Sequence, residues 1–267
     1  MICEHTQRMF SEPFYARLLS AADEVFTGYG MPFVVMTATS ATSTIAAPPL
    51  VTGSFDGVLL AGARERHPLA VTLAASGIAV RSAGRPPDGI DLPFVDMDNR
   101  DGARQAAEHL LLTNRRAITV IAGPPTLPGA RDRLDGFLRT LQAAGMTDVP
   151  VAYGDFTHAS GAHAMQWLLQ RSPHLDAVFA ASDPMAAGAM QALRRAGRRV
   201  PDDVAVIGFD DAPLARHTTP TLTTVRQPVE ELAILTARML LMSITNPDDV
   251  PHGNPILPTE LVVREST

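Results

Sequence analysis

DAVFAASDPMAAGAMQALRRAGRRVPDDVAVIGFDDAPLARHTTPTLTTVRQ, residues Asp176 to Gln227, is the stretch whose reading decides the fold. Ala177 to Ala181 is a short apolar run. Ser182-Asp183-Pro184 then offers a capping side chain and a proline at the first helical position, where a missing N–H costs nothing, so a helix should start there. Met185, Ala189, Leu193 and Ala196 recur at helical spacing, and Gly197 followed by Pro201 supplies the stop. Val204 to Gly208 reads as a buried strand. Strand, helix, strand in this order is a right-handed crossover between parallel strands, and ligands of such sheets sit beyond the carboxyl ends of the strands. Asp210 and Asp211 stand at that end.

The same alternation runs outward in both directions. Upstream, Met1 to Glu4 reads as the tail of a first strand and HTQRMFSEP as a loop. A helix follows from Pro13 to about Thr27, with Phe14, Leu18, Ala21 and Val25 on one face and Gly28 and Gly30 ending it. Strands are expected at Phe33–Met36, Phe55–Leu60, Ile78–Ser82, Phe94–Met97, Ala117–Ala122 and Val149–Tyr153. Helices are expected at Pro68–Ala75, at Asn99–Leu112, through Leu134 to Leu141, and at His158–Gln170, where Trp167 reads as core. Downstream, Pro228–Met242 is helical and Glu260–Arg264 a last strand. Strands alternating with helices throughout give a parallel α/β fold with both faces of each sheet covered, and the strands are too many for one compact open sheet. The Thr/Ser/Ala-rich stretch near Thr37 to Ala47 interrupts the pattern.

Composition bounds the function. The chain has 267 residues, 46% of them hydrophobic, enough for a packed core of one large or two modest domains. A formal net charge of −6 argues against these residues holding a phosphate backbone by themselves. Cys3 is the single cysteine, so neither a disulfide framework nor a cysteine-based zinc site is available, which fits a reducing cytosol. The eight histidines show no metal-ligand spacing with acidic companions, and no metal or cofactor is expected. No apolar run approaches a membrane span and no signal peptide is apparent, so a cytoplasmic protein is expected. Neither a nucleotide-binding glycine loop nor a nucleophile beside a recognisable base occurs, which disfavours an enzyme. Arg194, Arg195, Arg198 and Arg199 cluster at a helix end, where cations suit the dipole and solvent better than nucleic acid.

The pieces ASDPMAAGAMQALRRAGRRVPDDVAVIGFDD, TLTTVRQPVEELA and LPTELVVREST resemble the effector-binding domain of LacI/GalR-type transcriptional regulators. VDMDNRDGARQAAEHLL, IAGPP, ARDRLDGF and GDFTHASG precede them in the order that family has. The similarity is dense from Val95 to the end and thin before it. It implies two doubly wound parallel-sheet subdomains of the periplasmic-binding-protein-like type I, residues 1–97 plus 228–258 and residues 98–227 plus 259–267. Three crossings would join them, near Met97–Asp98, Val225–Pro228 and Leu257–Thr259, with the ligand cleft between. It also implies a homodimer that reaches operator DNA through a helix-turn-helix domain absent from this chain, and in the long Thr/Ser-rich segment a departure from the helix usual there. A transport-type solute-binding protein shares the fold and is the alternative, but would normally carry an export signal.

The resemblance also assigns a ligand site. A polyhydroxylated effector needs carboxylate and guanidinium groups for its hydroxyls and aromatic faces for its ring. Asp210, first acid of GFDD, would accept ligand hydroxyls, whereas Asp211 reads as a turn carboxylate. Arg133, in the first turn of its helix, would donate to the ligand; the plainer reading is a surface pair with Asp132 or Asp135. Phe14, Tyr15 and Phe156 match aromatic stacking positions, although one of Phe14 and Tyr15 reads as core. Arg85 matches the arginine of an Asp-Arg pair whose aspartate is replaced here by Gly84. Ser182 stands where many members have asparagine, with helix capping as its plainer role. Gln227 sits at a crossing, where it would touch either ligand or hinge.

Overall fold

A computed structural model of the chain describes residues 1–3, 9, 12–38, 54–65, 67–249 and 251–267. The stretch that interrupts the pattern therefore falls largely outside the described residues, as does most of the HTQRMFSEP loop. In chain order the described elements are β1 (Ile2–Cys3), α1 (Pro13–Gly28), β2 (Met36–Thr37), β3 (Gly57–Ala61), α2 (Pro68–Ala74), β4 (Ala79–Ala83) and β5 (Phe94–Met97). Next come α3 (Asn99–Leu112), β6 (Ile118–Ala122), α4 (Pro128–Ala143), β7 (Val151–Tyr153), α5 (His158–Arg171), β8 (Ala177–Ala180), α6 (Asp183–Arg195) and β9 (Ala205–Asp210). The last are β10 (Thr223–Arg226), α7 (Val229–Thr245), β11 (Ile256–Leu257) and β12 (Glu260–Val262). They form two compact units, Met1–Met97 with Pro228–Leu257 and Asp98–Gln227 with Pro258–Thr267, called here the first and second unit.

The first unit is built on a six-stranded sheet in the order β11-β5-β4-β3-β1-β2, parallel throughout. The period-two alternation of a strand sends Val58 and Leu60 of β3 to one face and Leu59 and Ala61 to the other. The first pair clusters with Leu69 and Leu73 of α2, the second with Leu18 of α1 and Leu232 and Leu240 of α7. Each such buried leucine contributes roughly 1.5–3 kcal/mol over an exposed one.

The second unit repeats the plan with the order β12-β10-β9-β8-β6-β7. Val178 and Ala180 of β8 face α5 and α6, while Ala177 and Phe179 face α3 and α4, where Phe179 stacks on Phe137 with centroids 4.4 Å apart. Helices α5 and α6 touch backbone to backbone. A Cβ on Gly161 would lie 2.2 Å from the Met185 carbonyl oxygen, and one on Gly188 2.1 Å from that of His158. Only hydrogen fits at either point.

The structure corrects several expectations. β12 pairs antiparallel with β10, so one edge of the second sheet is not parallel, a common finish to an otherwise parallel sheet. Thr223–Arg226 and Ile256–Leu257 are strands that were not expected, the first running into the stretch Val225–Pro228 read as a crossing. The strand expected at Phe33–Met36 begins only at Met36, because Phe33 stacks on Phe26 at 4.9 Å and covers the end of α1 instead of entering the ladder. Trp167 is not core: it is 46% exposed, and α5 buries Ala164, Met165 and Leu168 on its other side.

Candidate functional site

The second unit gathers polar side chains at the carboxyl end of its sheet. Helix α4 begins at Pro128, so Arg133 lies in its second turn, not its first, and its guanidinium reaches over the strand ends. Its Nε donates to Asn99 Oδ1 at 2.9 Å, and its Nη1 to the Ala181 carbonyl at 2.7 Å and to Asp210 Oδ1 at 3.1 Å. It stands 3.9 Å over the Phe209 ring and 5.8 Å from the Phe156 centroid, within cation–π range of each. The carboxylates of Asp132 and Asp135, the plainer partners, are met by Arg100, at 2.9 and 3.4 Å.

Asp210 ends β9 and also accepts the side-chain amide of Gln227. Gln227 is 1% exposed, and its Oε1 has no hydrogen-bond partner among the described residues. A buried acceptor left unmatched is costly. Ser182 caps α6, its hydroxyl accepting Met185 N–H at 3.4 Å, and follows the residue whose carbonyl holds Arg133. Phe156 lies in the loop after β7 with φ +72°, a left-handed conformation that costs an aromatic residue energy. Its ring lies where a side chain on residue 123 would be: a Cβ on Gly123 would come within 2.4 Å of it.

Asp210 and its neighbour have opposite surroundings. Asp211 accepts from Arg226 Nε at 2.8 Å and from Arg264 Nη2, with Arg216 3.8 Å away. Burial pulls the Asp211 carboxyl upward, but the hydrogen bonds from Arg226 and Arg264 outweigh it and hold the group below the usual range. Asp211 is thus the hub of an ion network tying β9 to β10 and the terminal segment, more than the turn carboxylate expected. The residues of this region missed in the sequence are Asn99, Phe209 and Asp183. Asn99 had a usable signal, a polar residue opening a helix directly after a strand.

The residues matched in the first unit are Phe14, Tyr15 and Arg85. Tyr15 is 4% exposed and belongs to the core, its hydroxyl packed against Gly62. Phe14 meets it edge-on at 5.3 Å and is half-buried. Arg85 follows β4, its Nε 3.9 Å from Asp96 Oδ2. Gly84 has φ +93°. Among the described residues no group of three or more His, Cys, Asp or Glu could hold a metal ion, and no helix is long and apolar enough to cross a membrane.

Two parallel α/β units, with a carboxylate, a guanidinium, an amide and an aromatic ring at one sheet's carboxyl end, define a binding protein for a small polar molecule. The periplasmic binding protein-like domain family matches residues 107–267. The HTH-type transcriptional regulator CelR of Thermobifida fusca is 40% identical over 272 residues, covering 100% of this chain and 79% of that protein. The ribose operon repressor of Halalkalibacterium halodurans is 33% identical over 264 residues, 96% of this chain and 76% of its own. A solved CelR–cellobiose complex superposes with a TM-score of 0.94 at 39% identity, covering all of this chain and 84% of that one. The chain belongs to the LacI family of transcriptional regulators and constitutes an effector-binding domain of that type. The relatives named here are transcriptional regulators.

Proposed function

We propose that this domain senses a short sugar, with a glucose disaccharide of the cellobiose kind as its first candidate, and that sugar binding changes how the regulator engages operator DNA. The observation that carries the reading is the Arg133–Asp210–Gln227 cluster beside Phe156. Adjacent sugar hydroxyls each donate and accept. Asp210 and the unmatched Gln227 Oε1 offer acceptors, Arg133 offers donors, and Phe156 offers a face for the apolar side of a ring. The cellobiose complex of the similar regulator supports the ligand class.

On this reading the domain binds without turnover, the protein works in the cytoplasm, and DNA is read by a helix-turn-helix segment outside these 267 residues. A homodimer fits the twofold half-sites such segments read. Phe14, Arg85 and Ser182 are proposed as secondary contributors, Ser182 chiefly as a cap.

Calorimetric titration with cellobiose, glucose and ribose tests the ligand class. Cellobiose should bind at least about tenfold tighter than glucose and be recovered unchanged, tenfold being about 1.4 kcal/mol. Binding of ribose alone would move the effector to a pentose, and binding of none would remove the sugar reading. Sedimentation at micromolar concentration should give a dimer.

A further inference from the structure

Asp183 opens α6 with its side chain wholly buried. Its Oδ2 accepts Ala212 N–H at 2.7 Å and its Oδ1 the Thr224 hydroxyl at 2.5 Å, while Thr224 Oγ1 accepts Asp211 N–H at 3.3 Å. The two peptide N–H groups that follow Asp210 thus end on Asp183, one directly and one through a hydroxyl. The segment they hold is strained: Asp210 has φ +116° and Asp211 φ +48°. Such conformations are costly and persist only where the surroundings over-determine them. The neighbouring strand leaves room for the clamp, since a Cβ on Gly208 would lie 2.2 Å from Asp183 Oδ1.

We propose that Asp183 is the positioning residue of the effector site: it fixes the left-handed turn after β9 so that the Asp210 carboxylate meets Arg133 and Gln227, and it acts on the sugar only through Asp210. The inference rests on the sugar-sensing reading of that cluster. Burial first, and then the charge of Asp210, pushes the Asp183 carboxyl well above the usual range, while its two hydrogen bonds pull the other way. A group so unfavourable to bury is tolerated where it performs a task hydrophobic packing cannot.

The test uses Asp183→Asn, Asp210→Asn, the double variant and Thr224→Val, the last removing only the hydroxyl relay. In cellobiose titrations each of the two single Asp variants should bind about tenfold more weakly, and the double variant no more weakly than Asp210→Asn, because groups acting through one another are not additive. Losses that multiply to about a hundredfold, or parental affinity in Asp183→Asn, would overturn the proposal. A second arm needs no ligand. Amide exchange of Asp211 and Ala212 should quicken by about tenfold in Asp183→Asn, and that of Asp211 in Thr224→Val, with the β6 amides unchanged. Unchanged exchange at the turn overturns the proposal. Should the parent protein not bind cellobiose, the sugar reading fails and the exchange arm alone decides on Asp183; should Asp183→Asn not fold, Thr224→Val decides.

Discussion

The two units share an architecture and differ in how their matched residues are engaged. In the second unit Arg133 and Gln227 both bond to Asp210, with Phe156 beside them. In the first, Tyr15 is core, Phe14 leans on Tyr15 and Arg85 faces Asp96 across 3.9 Å. Polar groups already ordered by one another lose little freedom when a ligand arrives, so more of their interaction energy appears as affinity. The comparison predicts that binding energy is concentrated in the second unit.

The largest effect expected separates binding from folding within that unit. Asp211→Ala would strand the mostly buried Arg264 without its carboxylate, while Arg226, 44% exposed, keeps Glu260 at 3.2 Å, so the cost sits at the low end of that for a buried pair broken from one side, about 3 kcal/mol. Denaturant titration should show it. A carboxyl held low in the folded state stabilises above its unfolded value, about 3.9, and this contribution fades as pH falls through the lower folded value. The stability gap between the parent and Asp211→Asn should therefore be full above about pH 5 and close progressively below pH 4.

Next in size are Asp210→Ala and Arg133→Ala. Each removes a charge-assisted partner from a partly dry site and should weaken effector binding by about 1.5–3 kcal/mol, roughly ten- to more than a hundredfold, with folding retained. Parental affinity in both would mean that the effector does not use this cluster, and the contrast between units would collapse.

What the sequence made legible follows the same division. Periodicity, the Ser182 cap and the Gly197 stop are local signals, and they carried the α/β class and most helix positions through the second unit. Short strands carry fewer such signals: β10 and β11 pair with strands distant in the sequence, and β12, legible as a strand, gives no sign that its pairing with β10 is antiparallel. Trp167 was misread because a helical face shows which residues are alike, not which side is covered. Asp210 and Arg133 could be singled out from motif resemblance, but that they bond to each other across 77 residues is a product of tertiary folding. The same holds for Asp183, whose partners Ala212 and Thr224 lie 29 and 41 residues away.

The smallest effect sharpens the contrast from the first unit's side. Gly84 stands where the resemblance expects an aspartate, and restoring it tests whether that unit lost a sugar contact or never needed one. Its φ of +93° is costly for any residue with a Cβ, although nothing within 4 Å would block the atom itself. The cost of Gly84→Asp is therefore backbone strain without a steric clash, about 1–2 kcal/mol of stability. An added carboxylate beside Arg85 would be partly exposed, where ion pairs contribute about 0–1 kcal/mol, so it should repay little of that strain and change cellobiose affinity by less than about fivefold. Melting curves and titrations of Gly84→Asp beside Arg85→Ala measure the two quantities separately. A gain in affinity of tenfold or more in Gly84→Asp would show that the first unit can hold a polar site as strong as the second, and that glycine, not architecture, makes the units unequal.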